Sequence, residues 1–138
     1  MWHIKQTLPF IVFTVLVANL SAEQNYEAVA DWVKLPEGRD KIGNMHGDVA
    51  VSSAGDVYVS VQDRNAGLQV YGPNGKWIRN VKGAPSDFHG FVIRKQEDGE
   101  FIYGSRLGGQ EILKLTLDGK VILKIPASAI PSKYKNRG

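Results

Sequence analysis

The stretch HGDVAVSSAGDVYVSVQDRNAGLQVYGPNGKWIRNV, residues 46–81, returns in altered form as HGFVIRKQEDGEFIYGSRLGGQEILKLTLDGKVILKI, residues 89–125. The offset is 43 residues at the two His-Gly pairs and 44 from Gly55 and Gly99 onward, which predicts one extra residue in the first turn. Turns recur at matching offsets as well as apolar residues, and matching turns are the harder of the two to produce by chance. The chain therefore contains two copies of one structural unit.

Each copy divides into short apolar segments separated by turns. Residues 57–61 alternate valine with Tyr58 and Ser60, which is typical of a strand rich in β-branched residues. Asn74-Gly75 and Asp118-Gly119 have the chemistry of tight reversals, in which glycine takes a positive φ without steric cost. The sequence predicts four antiparallel strands per copy: residues 49–51, 57–61, 68–71 and 77–81, then 91–93, 101–103, 112–117 and 121–125.

Repeats of roughly 40–50 residues with four strands each are typical of the blades of a β-propeller. We therefore expect an all-β chain: a β-propeller segment of two four-stranded antiparallel blades plus an N-terminal closing strand. The blades span residues 46–82 and 89–125. Residues 23–45 would hold the closing strand and a connection. The closing strand is expected at residues 26–35, where apolar and polar residues alternate as in a strand. Residues 126–138 would be an interblade connection or a truncated tail.

The first 22 residues have the layout of a secretory signal peptide. Lys5 precedes an apolar run at residues 8–17, and small residues follow at Ala18, Ser21 and Ala22. About ten apolar residues are fewer than the ~20 that a membrane-spanning helix needs. We expect cleavage after Ala22, with Ala18 as the rival site and a retained anchor as the alternative. The mature chain would then be secreted or periplasmic, without stable membrane insertion.

Charge and cysteine content narrow the classes of function. The chain carries 17 basic and 14 acidic residues, an excess too small and too dispersed for a nucleic-acid-binding surface. Only Lys133, Lys135 and Arg137 lie close together, as in a solvated terminus. There is no cysteine, although an exported chain could form disulfides, so the core and strand pairing must hold the fold. We expect no nucleic-acid partner.

The stretch GDVAVSSAGDVYVSVQDRNAGLQVYGPNGKW resembles the NHL repeat, the unit of a family of six-bladed β-propellers. Units of that family typically read as a Gly-Val-Ala-Val strand, a Gly-Asn/Asp turn, a Val-Tyr-Val strand, a loop, Ile-Gln-Val-Phe, and an Asp/Pro-x-Gly-Lys turn. The resemblance covers residues 46–81 well and 89–125 less well. It departs in the loop, where Asn65-Ala66-Gly67 and Gly109-Gln110-Glu111 stand in place of Asn-His-Arg. It implies a six-bladed propeller of which this chain holds about two blades.

Two blades raise the question of how the ring is completed. Six blades of about 43 residues need roughly 260 residues, and an isolated pair would expose apolar surface at its open ends. A truncated or partial gene product is the explanation that we favour. A cyclic homotrimer of two-blade chains and a self-contained small β-domain are the alternatives.

His46 and His89 are the repeated polar feature with candidate chemistry. Each precedes the predicted innermost strand of its blade, so the imidazoles should lie at one height around a central channel. Imidazole nitrogens bind zinc at about 2.0–2.1 Å, which makes the pair a candidate divalent metal site for Zn²⁺ or Ca²⁺, although no cofactor is certain. The alternative is that each His-Gly only turns the chain into its strand. NHL-like propellers include the peptidylglycine amidating lyases, whose axial histidines bind a metal, and that resemblance implies at most a ligand role for these two residues.

Asp48 and Arg64 are further candidate ligand contacts, because binding residues concentrate at strand starts and in loops. Solvated loop residues are the alternative for both, and for Asp63, Asn65, Asp87 and Arg106. No catalytic residue can be assigned. We expect a binding or interaction module for a protein, peptide or small-molecule ligand. A metal-dependent propeller enzyme, a lyase or hydrolase with axial histidines, is the rival class.

Overall fold

A computed structural model describes residues 26–45 and 47–134, and these residues form an all-β structure with two four-stranded antiparallel sheets. Sheet A contains β1 (Val49–Val51), β2 (Val57–Ser60), β3 (Leu68–Tyr71) and β4 (Trp77–Asn80). Sheet B contains β5 (Phe88–Gln96), β6 (Gly99–Arg106), β7 (Glu111–Thr116) and β8 (Val121–Pro126). Two 3-10 turns follow at Ala127–Ala129 and Ser132–Tyr134. The predicted all-β class and the four strands in each copy are confirmed.

The segment before sheet A differs from the strand predicted at residues 26–35. Its described residues form a single β-bridge, between Lys34 and Lys76 at the start of β4. Asp31 has a positive φ of 52°, which turns the chain and interrupts an extended conformation.

The β3–β4 turn of sheet A and the β7–β8 turn of sheet B have the same structure at an offset of 44 residues. Gly75 N donates to Gly72 O, and Gly119 N donates to Thr116 O, both at 2.9 Å. Gly75 and Gly119 have positive φ values of 77° and 97°, a region that strains residues with a Cβ. The strands that lead into these turns therefore correspond residue by residue: Leu68 with Ile112, Gln69 with Leu113, Val70 with Lys114, and Tyr71 with Leu115.

The first hairpins differ between the sheets. Val51 pairs with Val57 across five residues, whereas Gln96 pairs with Gly99 across a two-residue turn. The expectation of an extra residue in the turn is therefore wrong, because longer paired strands and a bulge near the start of β5 take up the difference.

Cross-strand pairs assign each side chain to one face of its sheet. Tyr58 pairs with Val70 in sheet A, and Tyr103 pairs with Lys114 in sheet B. We call the face that carries these pairs the back of each sheet. The opposite face, the front, carries Tyr71 in sheet A and Leu115 in sheet B.

The main core lies where the back of sheet A packs on the front of sheet B. Leu68, Ile102 and Leu115 are fully buried there. Complete burial of such a side chain stabilises the fold by about 1.5–3 kcal/mol. The whole cluster contains Tyr58, Leu68, Val70, Val81, Phe88, Phe91, Ile102, Leu113 and Leu115.

Residues 31–44, which we call the front segment, cover the front of sheet A. Trp32, Val33 and Ile42 pack there on a second cluster, formed by Val59, Val61, Ala66 and Tyr71. Lys34 N donates to Gly75 O at 2.8 Å, and Gln69 Nε2 donates to Ile42 O at 3.2 Å. Both faces of sheet A are therefore covered.

The predicted signal peptide, residues 1–22, lies outside the described residues. Within the described part of the chain, no helix has the length and apolar composition needed to cross a membrane.

Candidate functional site at the loop end

Both sheets begin at the same end, which we call the loop end. It holds the β2–β3 loop at residues 61–67, the β6–β7 loop at residues 107–110, and the connection between the sheets at residues 81–87. Antiparallel pairing brings the start of β1 beside the end of β2, where Ser60 N donates to Asp48 O at 3.1 Å. The opposite end, the hairpin end, holds the tight turns. The candidate residues Asp48, Arg64 and His89 all belong to the loop end.

Asp48 links the two sheets at this end. Its Oδ2 accepts a hydrogen bond from Phe91 N at 3.4 Å, and a Cβ placed on Gly90 would lie 3.3 Å from the same oxygen. His89 precedes Gly90 and is exposed. The structure therefore brings Asp48 beside the His89-Gly90 pair, and it places β1 next to β5.

His46, the other predicted metal ligand, lies outside the described residues. Among residues 26–45 and 47–134, no three His, Cys, Asp or Glu side chains are grouped so that they could hold a metal ion. Of the two predicted metal ligands, His89 alone belongs to the described residues, and the predicted ligand contact Asp48 lies near it, just before β1.

Arg64 lies in the β2–β3 loop and is exposed. The loop is ordered by its neighbour Asp63, which accepts hydrogen bonds from Asn65 N at 2.9 Å and from Arg39 Nη2 at 3.0 Å. These two bonds, the backbone one first, lower the pKa of Asp63 below its usual 3.8. The loop therefore displays the Arg64 side chain from a backbone that its neighbours fix.

An ion cluster at the loop end was missed by sequence reasoning. Arg106 Nε donates to Asp87 Oδ1 at 2.8 Å, and Arg106 Nη1 donates to Glu111 Oε1 at 2.6 Å. Burial raises the pKa of Asp87, but the hydrogen bonds from Arg106 and from Gly109 N outweigh it, so that this pKa is lowered. The hydrogen bonds that Arg106 donates to Asp87, first, and to Glu111 raise the pKa of Arg106. Arg106 and Glu111 are directly paired across β6 and β7. In the sequence, the signal for this ion pair is two residues of opposite charge on the two sides of a predicted hairpin.

A cleft of about 370 Å³ opens beside this cluster. Arg106 and Glu111 line it, and their charges are already paired with one another. Its remaining lining is largely apolar and includes Leu107, Ile112, Ile125 and Ile130. The cleft therefore offers apolar surface more than a charged contact.

A larger cleft of about 590 Å³ lies at the hairpin end. Lys34, Lys76 and Trp77 are among its lining residues, and none of the predicted site residues that the structure describes belongs to it. The loop end therefore remains the candidate site, because Asp48, Arg64 and His89 all lie there.

Comparison of the chain with protein-family models and with curated proteins finds no match.

Proposed function

We propose that this chain is an exported, NHL-like β-propeller segment of two blades, and that it acts as a binding module through its loop end. The observation that carries the proposal is the sense in which the sheets stack. Leu115, on the front of sheet B, packs against sheet A, whereas its counterpart Tyr71 faces away from sheet B and contacts the front segment. The back of one unit meets the front of the next.

Front-to-back stacking is what blades around a common axis require, because each blade is then related to its neighbour by the same rotation. A two-fold sandwich would instead pack the back of sheet A on the back of sheet B. The neighbouring positions of β1 and β5, joined through Asp48 and Phe91, also fit this arrangement, because the first strands of adjacent blades lie closest to the axis.

The front segment supports the proposal of a closing strand. A Cβ on Gly119 would collide with Lys82 O, so this turn of sheet B lies against the end of the preceding unit. A Cβ on the corresponding Gly75 would collide with Trp32 O. Trp32 therefore occupies, beside sheet A, the place that Val81–Lys82 occupies beside sheet B. We assign the segment to the position of an outer strand from a preceding blade.

The binding role is assigned to the loop end because loops on a rigid β scaffold are where propellers and other β folds carry ligand contacts. Asp48, Arg64 and His89 are the described candidate contacts, with His46 as the fourth. Their mixed charge fits a polar protein, peptide or small-molecule ligand, and the two histidines keep a divalent metal within the proposal.

The binding role is tested with the chain itself on an array of immobilised random peptides, with and without added Zn²⁺ or Ca²⁺. The triple variant Asp48→Ala, Arg64→Ala, His89→Ala should lose signals that the unaltered chain gives. A matched variant of exposed hairpin-end residues, Glu97→Ala with Lys120→Ala, should keep them. Equal signals from both variants would refute a loop-end binding site.

Export is tested by expressing the full chain in a secreting host and measuring the mass of the product. The proposal predicts an extracellular or periplasmic product that begins at Glu23. A product that stays inside the cell with residues 1–22 attached would contradict it.

A further inference from the structure

We propose that the cleft of about 590 Å³ at the hairpin end binds a small aromatic acid, in which a single carboxylate is attached to an apolar ring. In this site Lys34 and Lys76 bind the carboxylate, and Trp77 contacts the ring. The cleft lies at the opposite end of the fold from Asp48, Arg64 and His89, so the inference does not depend on loop-end binding.

The cleft opens where the front segment leaves sheet A. Lys34 N donates to Gly75 O at 2.8 Å, and Trp77 N donates to Lys34 O at 3.0 Å, which makes Lys34 and Lys76 partners in a parallel bridge. The next hydrogen bond of a parallel ladder needs an N–H at residue 36, and Pro36 has none. The two segments therefore separate after this bridge and leave a cleft between them.

The lining of the cleft combines an apolar interior with a polar rim. Its apolar residues are half-buried: Leu35, Pro36 and Trp77. Its polar residues are exposed: Lys34, Glu37, Asn74 and Lys76. Small-molecule sites typically have volumes of about 300–1,000 Å³, apolar walls and a few polar groups that orient the ligand. The size and the lining of this cleft both fit such a site.

The two lysines of the rim favour an anion. Paired residues of neighbouring strands direct their side chains to the same face, and like charges in such positions repel one another. Neither Lys34 nor Lys76 forms an ion pair with a carboxylate of the described residues, and Lys34 Nζ donates to the backbone oxygen of Asp31 at 2.6 Å. An anion bound by both ammonium groups would relieve their repulsion.

The charge of the lining favours a ligand with one negative charge. Two lysines and one glutamate, Glu37, give the lining a net charge of +1 at neutral pH. A carboxylate neutralises this charge. A phosphate monoester carries a charge of about −1.5 to −2 at this pH and would leave excess negative charge beside Glu37.

Trp77 favours an aromatic body for the ligand. Its side chain packs on the second cluster and also lines the cleft. Trp77 Nε1 is buried and has no hydrogen-bond partner among the described residues, whereas Trp32 Nε1 donates to Pro73 O at 3.2 Å. No described hydrogen bond therefore fixes the indole of Trp77, which can adjust to form an offset-stacked or edge-to-face contact with a ligand ring.

The corresponding turn of sheet B has the same backbone hydrogen bonds but a different set of side chains. Lys120 corresponds to Lys76, whereas Val121, which is 40% exposed, stands in place of Trp77. Asp118 stands in place of Asn74 and adds a negative charge that repels a carboxylate. The chain thus supplies a matched control for the site within its own repeat.

The test is titration calorimetry of the full chain with 2-naphthoate at low ionic strength, where charge pairing is least screened. The chain should bind 2-naphthoate about fivefold or more tightly than 2-naphthylmethanol, which has the same ring without the charge. Acetate, which has the charge without the ring, should also bind more weakly. Failure of 2-naphthoate to bind, or equal affinity for the acid and either comparison compound, would overturn the proposal.

Substitution of the lysines tests the carboxylate contact. Lys34→Gln and Lys76→Gln should each weaken binding of 2-naphthoate by about two- to fivefold, and the double variant should bind the acid no more tightly than the alcohol. Lys120→Gln, at the corresponding turn of sheet B, should leave the affinity unchanged. Equal effects of Lys76→Gln and Lys120→Gln would show that general charge, and not this cleft, attracts the acid.

The aromatic contact and the place of binding are tested separately. Trp77→Val should weaken binding of 2-naphthoate more than binding of acetate. Because this variant also loses packing on the second cluster, amide chemical shifts of the unaltered chain supply a second measurement. Addition of 2-naphthoate should shift residues 34–37 and 74–77 most, and the largest shifts at any other place would contradict the assignment.

The loop-end triple variant, Asp48→Ala with Arg64→Ala and His89→Ala, should bind 2-naphthoate as the unaltered chain does. Loss of 2-naphthoate binding in this variant would place the acid at the loop end and overturn the inference. Failure at the cleft and failure of the proposed loop-end function are therefore distinguishable.

Discussion

Leu68 and Ile112 hold the same place in the two units of the chain, yet Leu68 is completely buried and Ile112 is 43% exposed. The turns that follow them have the same hydrogen bonds, so the contrast does not come from the local structure of either strand. It comes from stacking, because among residues 26–45 and 47–134 only the first unit has a neighbour on its back.

Truncation of a residue at the centre of the main core should be costly. Ile102 is 0% exposed, and Ile102→Ala should lower the free energy of unfolding by about 2–5 kcal/mol through lost burial and a residual cavity. Urea denaturation measures the change. Ile122→Ala, at a side chain that is 47% exposed, should cost less than about 1 kcal/mol. Equal costs at the two positions would contradict the assignment of the core.

A methyl group at Gly104 should strain the packing of Phe88 in the main core. An added Cβ would lie 2.5 Å from Phe88 Cε1 and 2.8 Å from Cδ1, so Gly104→Ala should destabilise the fold by about 1–3 kcal/mol. Phe88→Leu gives the methyl group room and should cost less in the Gly104→Ala background than in the unaltered chain. A double-mutant cycle measures this coupling, and simple addition of the two costs would argue against the contact.

The Arg106 cluster predicts a loss of stability in acid. The folded-state pKa of Asp87 lies below the ordinary value of 3.8, so the ionised carboxylate stabilises the fold above that pH. This contribution is lost as the pH falls from about 3.8 through the lower, folded-state pKa. Arg106→Gln should lower the free energy of unfolding by about 1 kcal/mol near neutral pH and by less near pH 2, because a larger fraction of the Asp87 carboxylate is then protonated. A mutational cost that is the same at both pH values would show that the ion pairs do not stabilise the fold.

A methyl group at Gly75 should release the front segment from sheet A. The added Cβ would collide with Trp32 O, and the positive φ adds strain of its own. Gly55→Ala is the control, since Gly55 also has a positive φ, 86°, but its Cβ would meet only Pro73 at 3.2 Å. Amide exchange at residues 31–35 should accelerate strongly for Gly75→Ala and little for Gly55→Ala. Equal acceleration would mean that turn strain, and not the collision, is responsible.

The strands could be predicted from the sequence because their determinants are local. Alternating valines at residues 57–61 and glycine turns such as Asn74-Gly75 fix strand and reversal within a few residues. The covering of sheet A by residues 31–44 could not be predicted in this way. It depends on contacts such as Trp32 with the Gly75 turn, which join residues about 40 positions apart and leave no periodic pattern.

The loop end could be predicted in part. Antiparallel strands place Asp48 and His89 at strand starts of the same end, and the structure brings Asp48 beside Gly90. The ion cluster was harder to predict, because Asp87 lies in the connection before β5 and meets Arg106 through the bulged pairing of β5 with β6. The stacking sense was also hidden, because it depends on contacts between residues far apart in the chain, such as Leu68 and Leu115 of the main core.

The most direct test of the front-to-back stacking compares the labelling of two single thiols, made by Leu68→Cys and Ile112→Cys in the otherwise cysteine-free chain. The account predicts that the thiol at position 112 reacts at nearly the rate of an unfolded thiol, whereas the thiol at position 68 reacts only as the protein unfolds. Equal protection of the two thiols would contradict it, because a two-fold sandwich with its backs together would bury both positions alike.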